Sequence, residues 1–262
     1  MKLIAILLAG ERLGQSPVAE AAGVPCKALA TVGELPMLAR VLRTLARTPH
    51  VEKCVVVGNP EFKNALEPVL AGFSGFASWQ DGADSPARSA ALAARDIPPE
   101  RGILLTTADH PLLDPAMIAE LCAIQGTRDP DVRVGLVRHA QVMAQYPEAR
   151  CTPLGFSDGP FCGTNLFLFR TESGRRLMEQ WQAVEQARKT PWRVVGILGA
   201  GAVIGYLLGR LSLARALQLL SRRLDLDISA TLLSNARAAL DVDTVGDWEF
   251  AGRLIQAEAP GT

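Results

Sequence analysis

Short apolar runs recur along this chain, at Leu3 to Leu8, Lys53 to Val57, Ile103 to Thr106, Val132 to Val137 and Asn165 to Phe169, and helical patterns separate several of them. Runs of this length, bounded by turn residues, read as buried strands. The helical patterns fall over Pro36 to Arg47, Glu61 to Ala71, Ala87 to Ala94, Pro115 to Ile124 and Ser173 to Arg188, each after turn residues or with a proline near its start. A strand that is followed by a helix returns to the sheet by a crossover, so the alternation predicts a mostly parallel sheet with helices on both faces. At 262 residues, 48% of them hydrophobic, the chain can bury a full core as one large α/β domain or as one domain with an insertion.

Lysine plus arginine equal aspartate plus glutamate at 27 each, so no global field draws the chain to nucleic acid. The five cysteines, Cys26, Cys54, Cys122, Cys151 and Cys162, are scattered, odd in number and without a CxxC pair. That pattern predicts neither a disulfide framework nor a zinc site, and a reducing cytoplasm is the expected compartment. The opening "MKLIAILLAG" resembles a signal peptide only until "ERLGQ" follows, and it reads better as a first buried strand.

In an open parallel sheet, ligands bind beyond the carboxyl ends of the strands, where loops converge and helix amino termini point inward. Asp109, in "LLTTADHPLL", falls at such an end. A carboxylate there can hold magnesium together with substrate phosphates, or it can simply cap the helix that begins near Pro115. After the first strand, Gly10 lets the backbone approach a ligand, while Arg12 and Lys27 supply charge for phosphate oxygens. The loop is not a P-loop, because GxxxxGK[ST] is absent. In "DGADSPARSAALAA", Ser85, Arg88 and Ser89 surround a helix start that can hold phosphate or a base edge, or serve only as a cap. Near the end, Asp241 and Asp243 alternate on an expected short strand, both facing one way, before a turn and a closing helix.

Taken in order, "LLAGERLG" with "VPCKAL", "DSPARSAALAA", "LLTTADHPLL", "FCGTNLFLF" and "LDVDTVGDW" resemble the MobA-like NTP transferase superfamily, over nearly the whole chain except about residues 190–224. The resemblance implies a GT-A-like, Rossmann-type three-layer sandwich that transfers a nucleoside monophosphate, CMP being favoured, from an NTP to a phosphorylated alcohol, sugar or lipid precursor and releases pyrophosphate. It further implies magnesium, with manganese as a substitute. Leu8, Ala9, Gly10, Ser85, Arg88 and Ser89 would cradle the nucleotide and Arg12 and Lys27 its phosphates. Asp109 and Asp243, with Asp241 as a weaker third, would hold the metal. Gly163 and Asn165 would line the acceptor side. Glu11 departs from the family loop, which carries glycine there, and Cys26 separates Pro25 from Lys27. A relative that binds nucleotide or a partner without turnover is the competing reading.

Residues 190–224 read as a helical insertion within a nucleotidyltransferase domain spanning 1–262. Its "VVGILGAGAVIG" imitates a dinucleotide fingerprint, but the third glycine falls one place late and too few residues follow for two βαβ halves. From Val194 to Gly209 it carries no charge, which is shorter than the roughly 20 apolar residues of a membrane span. Trp192, Arg193, Tyr206, Arg210, Arg215, Arg222 and Arg223 flank that run and suit an interfacial helix on an anionic leaflet at the inner face of the membrane. A core hairpin or a homodimer contact is the alternative.

Overall fold

The computed structural model describes residues 1–11, 16–123, 129–178 and 199–257. Its main sheet has eight strands: β1 (Leu3–Ala9), β4 (Val51–Gly58), β5 (Ala77–Asp81), β6 (Gly102–Thr107), β7 (Val132–Arg138), β8 (Leu154–Phe156), β9 (Gly159–Phe169) and β10 (Ile228–Leu232). The order is β10-β7-β9-β6-β1-β4-β5, with β8 paired to β9, while β2 (Thr31–Val32) and β3 (Leu35–Pro36) form a separate antiparallel pair. β1 is parallel to both β4 and β6, β4 to β5, and β7 to β10. β9 runs antiparallel to its neighbours β6, β7 and β8.

The two-residue period of β1 shows how the layers arise. Ala5, Leu7 and Ala9 face the larger core with α2 (Met37–Arg47), α3 (Lys63–Ala71) and α5 (Pro115–Cys122), whereas Ile6 faces the smaller core with α4 (Pro86–Arg95). Ile6 and Leu7 are fully buried, each contributing about 1.5–3 kcal/mol of transfer free energy. A strand apolar on both faces can only be central, and the chain leaves β1 toward β4 on one side and β6 on the other. That reversal makes the crevice at the carboxyl ends of β1, β4 and β6.

Several elements depart from expectation. β5, β8, β10 and the short helices α1 (Pro17–Ala22) and α6 (His139–Gln145) carry no strong periodic run, and packing against neighbours specifies them. The expected helix over Ser173 to Arg188 is described over 172–178, here α7, and the rest of it lies outside the described residues. After it come α8 (Ala200–Leu207) and α9 (Leu213–Leu224). Leu217, Leu220 and Leu224 of α9 pack on the smaller core, and the chain then enters the sheet as β10 beside β7. The segment expected as an insertion contributes apolar side chains to the smaller core; its residues 190–198, including Trp192 and Arg193, lie outside the described residues.

Two expectations need correction. Cys151 and Cys162 form a disulfide, with Cα atoms 6.1 Å apart, because the β8–β9 hairpin folds the chain back on itself. Cysteine spacing alone does not reveal a pairing made by a hairpin. The segment Asp241–Asp243 is not a strand either: it lies between a 3₁₀ turn at Ala236–Ala239 and α10 (Val245–Gln256), and its Val242 N–H donates to Asp109 O at 2.8 Å. Among the described residues no helix is long and apolar enough to cross a membrane.

Candidate active site

A cleft of about 790 Å³ opens at the carboxyl ends of β1, β4, β5 and β6, with Leu8, Gly58, Asp84, Ser89 and Asp109 among its walls. Gly10, Glu11, Ser85 and Thr107 line it too. The floor is backbone at close approach. A Cβ at Gly58 would sit 2.5 Å from the Trp79 ring, and one at Gly82 would sit 3.1 Å from Gly58 O. These two glycines, with Asn59 and Ala83, are cleft residues that the sequence analysis misses; glycines at the ends of "VVVGNP" and "QDGAD" are the signal that could have found them.

On one wall stands the amino terminus of α4. Ser85 has extended backbone and its hydroxyl accepts from Arg88 N at 3.3 Å, with Pro86 next, so the helix starts there and the positive end of its dipole lies at the cleft wall. The Ser89 hydroxyl accepts from Ala83 N at 2.9 Å and holds the 82–84 loop against the helix. Arg88 does not line the cleft; its guanidinium pairs with Asp84 at 3.1 Å on the surface. Ala9 is buried beneath the cleft.

Asp109 does not cap α5. That task falls to Asp114, whose carboxylate accepts from Ala116 N at 2.7 Å. Instead Asp109 shares Lys27 with Asp243, the three residues coming from three distant segments, and Asp241 lies two residues before Asp243. The Lys27 ammonium donates to Asp109 Oδ2 at 2.8 Å, to Val242 O at 2.9 Å and to Asp243 Oδ1 at 3.3 Å. The Lys27 amide N–H donates to the carboxylate of Glu11, so the residue that departs from the family loop anchors the lysine's backbone. Burial pulls the Lys27 ammonium down, but Asp109 and then Asp243 outweigh it and hold its pKa above the usual value, so it stays charged. Arg12 lies outside the described residues.

Asp241 points the other way, accepting from Asn165 Nδ2 at 2.6 Å. Burial first, then the charges of Asp109 and Asp243, raise its pKa well above the usual carboxylate value. Asn165 reaches it because β9 bulges: the ladder slips between Val134 and Leu136, and Asn165 takes left-handed backbone at φ 49°. Gly163, still in register opposite Leu136, is solvent-exposed. Neither Gly163 nor Asn165 lines the main cleft.

The donor set suits a hard cation. Asp109 Oδ1 and Asp241 Oδ1 are buried with no hydrogen-bond partner, a costly state that a divalent ion relieves. Among the described residues no three acidic, histidine or cysteine side chains form a ready cage, and magnesium asks for none, since one or two carboxylates plus phosphates and water suffice. Two groups are ruled out for chemistry. His110 is fully buried, and desolvation pushes its pKa down to about 4, leaving a weak, inaccessible base. Burial pushes the Cys26 thiol up to about 11, so it is no nucleophile near neutral pH.

A solved hypothetical transferase from Thermus thermophilus superposes with a TM-score of 0.78 at 26% identity, over 95% of this chain and 100% of its own. CMP:2-keto-3-deoxy-manno-octonic acid synthetase, solved in complex with CTP, has a TM-score of 0.61 at 14% identity, covering 98% of this chain and 100% of its own. The 4-diphosphocytidyl-2C-methyl-D-erythritol synthase of Anaerococcus prevotii has a TM-score of 0.59 at 12% identity, covering 97% and 96%. These last two show a common fold. No curated protein sequence matches the chain. The family model of the MobA-like NTP transferase domain, however, matches residues 5–194, which takes in the cleft, Lys27 and Asp109. With the open, mostly parallel sheet and its crevice already described, that match makes the chain a member of the MobA-like NTP transferase family and a nucleotidyltransferase enzyme.

Proposed function

We propose that the enzyme transfers CMP from CTP to a phosphorylated alcohol or sugar and releases pyrophosphate. The observation that carries this reading is the Lys27 ammonium held between Asp109, Val242 O and Asp243 beside a cleft walled by a helix amino terminus. An acceptor phosphate oxygen attacks the α-phosphorus in line while the bond to the bridging oxygen breaks and pyrophosphate carries the charge away. The acceptor is already ionised at neutral pH, so no protein base or nucleophile is needed, in keeping with the burial of His110 and Cys26. What the chain supplies is position and charge: Gly10 and the positive end of the α4 dipole for the phosphates, Ser85 and Ser89 for the nucleotide, Lys27 for the developing negative charge. Asp109 and Asp243, with Asp241 beside them, would hold magnesium, which supplies charge neutralisation to the triphosphate. Gly163 and Asn165 would line the acceptor side, with Asn165 held by Asp241.

CTP is the first donor to test because the octonic acid synthetase of the same fold was solved with CTP bound. Pyrophosphate release, measured with each of four NTPs against phosphorylated alcohols and sugars, with and without magnesium, is expected to select one base and to need the cation. Release that ignores both base and cation would overturn the proposal.

A lipid-linked acceptor, and with it peripheral contact at the inner face of a membrane, is the finer reading. It is favoured by α8, where Leu207 and Leu208 are 77% and 61% exposed beside Ile204 and Tyr206. Arg210, Arg215, Arg222 and Arg223 are exposed nearby, with no acidic residue from 199 to 224. A homodimer through the same apolar face is the alternative outcome.

A further inference from the structure

A second cavity, of about 330 Å³, lies apart from the nucleotide cleft, and no residue lines both. Its wall on one side is the outer face of α2. The inner face of that helix, Met37, Leu38, Val41, Leu42 and Leu45, is buried in the core, so the helical period brings Arg40, Arg43 and Arg47 together on the outside. Arg237 joins them from the 3₁₀ turn at Ala236–Ala239, and the floor is the chain from Pro111 to Pro115.

Among the described residues, four guanidinium groups thus line one small recess with a single acid, Asp114, and its Oδ1 already accepts from Ala116 N in capping α5. Two of the arginines are fixed in place. Arg40 donates to Pro111 O at 3.2 Å and to Val32 O at 3.1 Å, and Arg237 Nε donates to the Tyr146 hydroxyl at 3.0 Å. Arg43 and Arg47 are exposed and, among the described residues, make no hydrogen bond or ion pair. Arg43 and Arg47, one helical turn apart, carry like charges that repel, and an anion between them relieves that repulsion. Guanidinium groups bind phosphate through paired, charge-assisted hydrogen bonds, and a volume near the lower end for small-molecule sites exceeds what a single phosphate fills.

We propose that this recess is a second ligand site, which binds a small molecule carrying one or two phosphate groups, with Arg40 and Arg237 as fixed donors and Arg43 and Arg47 closing on the ligand. The site is independent of the donor and acceptor proposed for the cleft. Its floor continues directly from Asp109, and the Thr44 hydroxyl donates to Leu113 O at 2.9 Å, so the ligand lies behind the segment that carries the Asp109 carboxylate.

The test uses the full chain carrying Lys27→Ala, which weakens phosphate binding in the cleft, in chelator, titrated calorimetrically with inorganic pyrophosphate and with glycerol phosphate at constant ionic strength. Saturable binding is expected, weakened by about tenfold or more when Arg43→Ser and Arg47→Ser are added, and partly restored by Arg43→Lys with Arg47→Lys. Both side chains project from the core-free face of α2, and circular dichroism checks that the variants keep their fold. Equal affinity with and without the two serines would overturn the proposal. So would a response that sodium chloride reproduces at matched ionic strength, or one that phospholipid vesicles give and the free phosphates do not.

Discussion

Lys27 and the carboxylates around it are a set of charges that make sense only together. Lys27 and Asp109 are each about one-fifth exposed, so their attraction is screened less than on the open surface, and each answers for the other's desolvation. Removing Asp109 leaves Lys27 with Asp243 and Val242 O, so the fold should persist while the charge at the reacting centre changes. Asp109→Ala and Lys27→Ala are each expected to cost about 3–4 kcal/mol of barrier, a 10²- to 10³-fold loss of turnover, by analogy with deletion of an oxyanion donor. Pyrophosphate release under saturating magnesium measures it, and near-normal turnover of Asp109→Ala would remove that residue from the mechanism. At this scale the sequence was partly legible. Asp109 stands out as a carboxylate at the end of an apolar run, and Lys27 as a positive charge in the loop that follows the first strand. The contacts of Glu11 and Asn165 are not legible there, since Glu11 acts on the backbone N–H of Lys27 and Asn165 reaches Asp241 through a bulge that no spacing announces.

Elements differ in how much of their reason for existing lies in their own residues. β1, β6 and α2 carry their burial pattern in sequence, and the reading finds each within a few residues of its place. β5 and β10 are edge strands with mixed burial, and only the neighbours β4 and β7 specify them. The α8–α9 segment carries two patterns at once. α9 turns leucines to the core and arginines outward, while α8 leaves its leucines in solvent. An exposed apolar helix next to an arginine-rich one fits the headgroup region of an anionic bilayer. Replacing Leu207 and Leu208 by serine removes two side chains that contribute little to the core, so thermal stability should hold within about 0.5 kcal/mol. Sedimentation with phosphatidylglycerol vesicles is expected to fall about tenfold or more, and phosphatidylcholine vesicles should bind neither form. Undiminished sedimentation of the double variant would assign the segment to another role, and a change in oligomeric mass in its place would assign it to a dimer.

A polar seam joins the segments bearing Asp109, Arg237 and Asp241, and acid should expose it. His110 sits at the junction of the segment bearing Asp109 and the 3₁₀ turn bearing Arg237, with no solvent exposure and a pKa pushed down to about 4 by burial. In the unfolded chain the same imidazole titrates near 6.5. Between those values the unfolded chain binds the proton that the folded protein refuses. The contribution is therefore fully present above about pH 6.5, and is lost as pH falls toward about 4, amounting to roughly 3 kcal/mol. Asp241 works in the opposite sense. Its raised folded pKa means that the folded protein takes up that proton first, so acid at that carboxylate favours the folded state. Both groups belong to the same seam, so wild-type unfolding alone would mix them. The difference between the wild type and His110→Gln isolates the imidazole. Urea unfolding in chelator at intervals from pH 7.5 to 4.5 is expected to show wild-type stability declining relative to the variant by roughly 3 kcal/mol across that window. A constant offset between the two curves would mean that His110 is not held neutral by burial, and the seam would then have to admit water or an anion that this packing excludes.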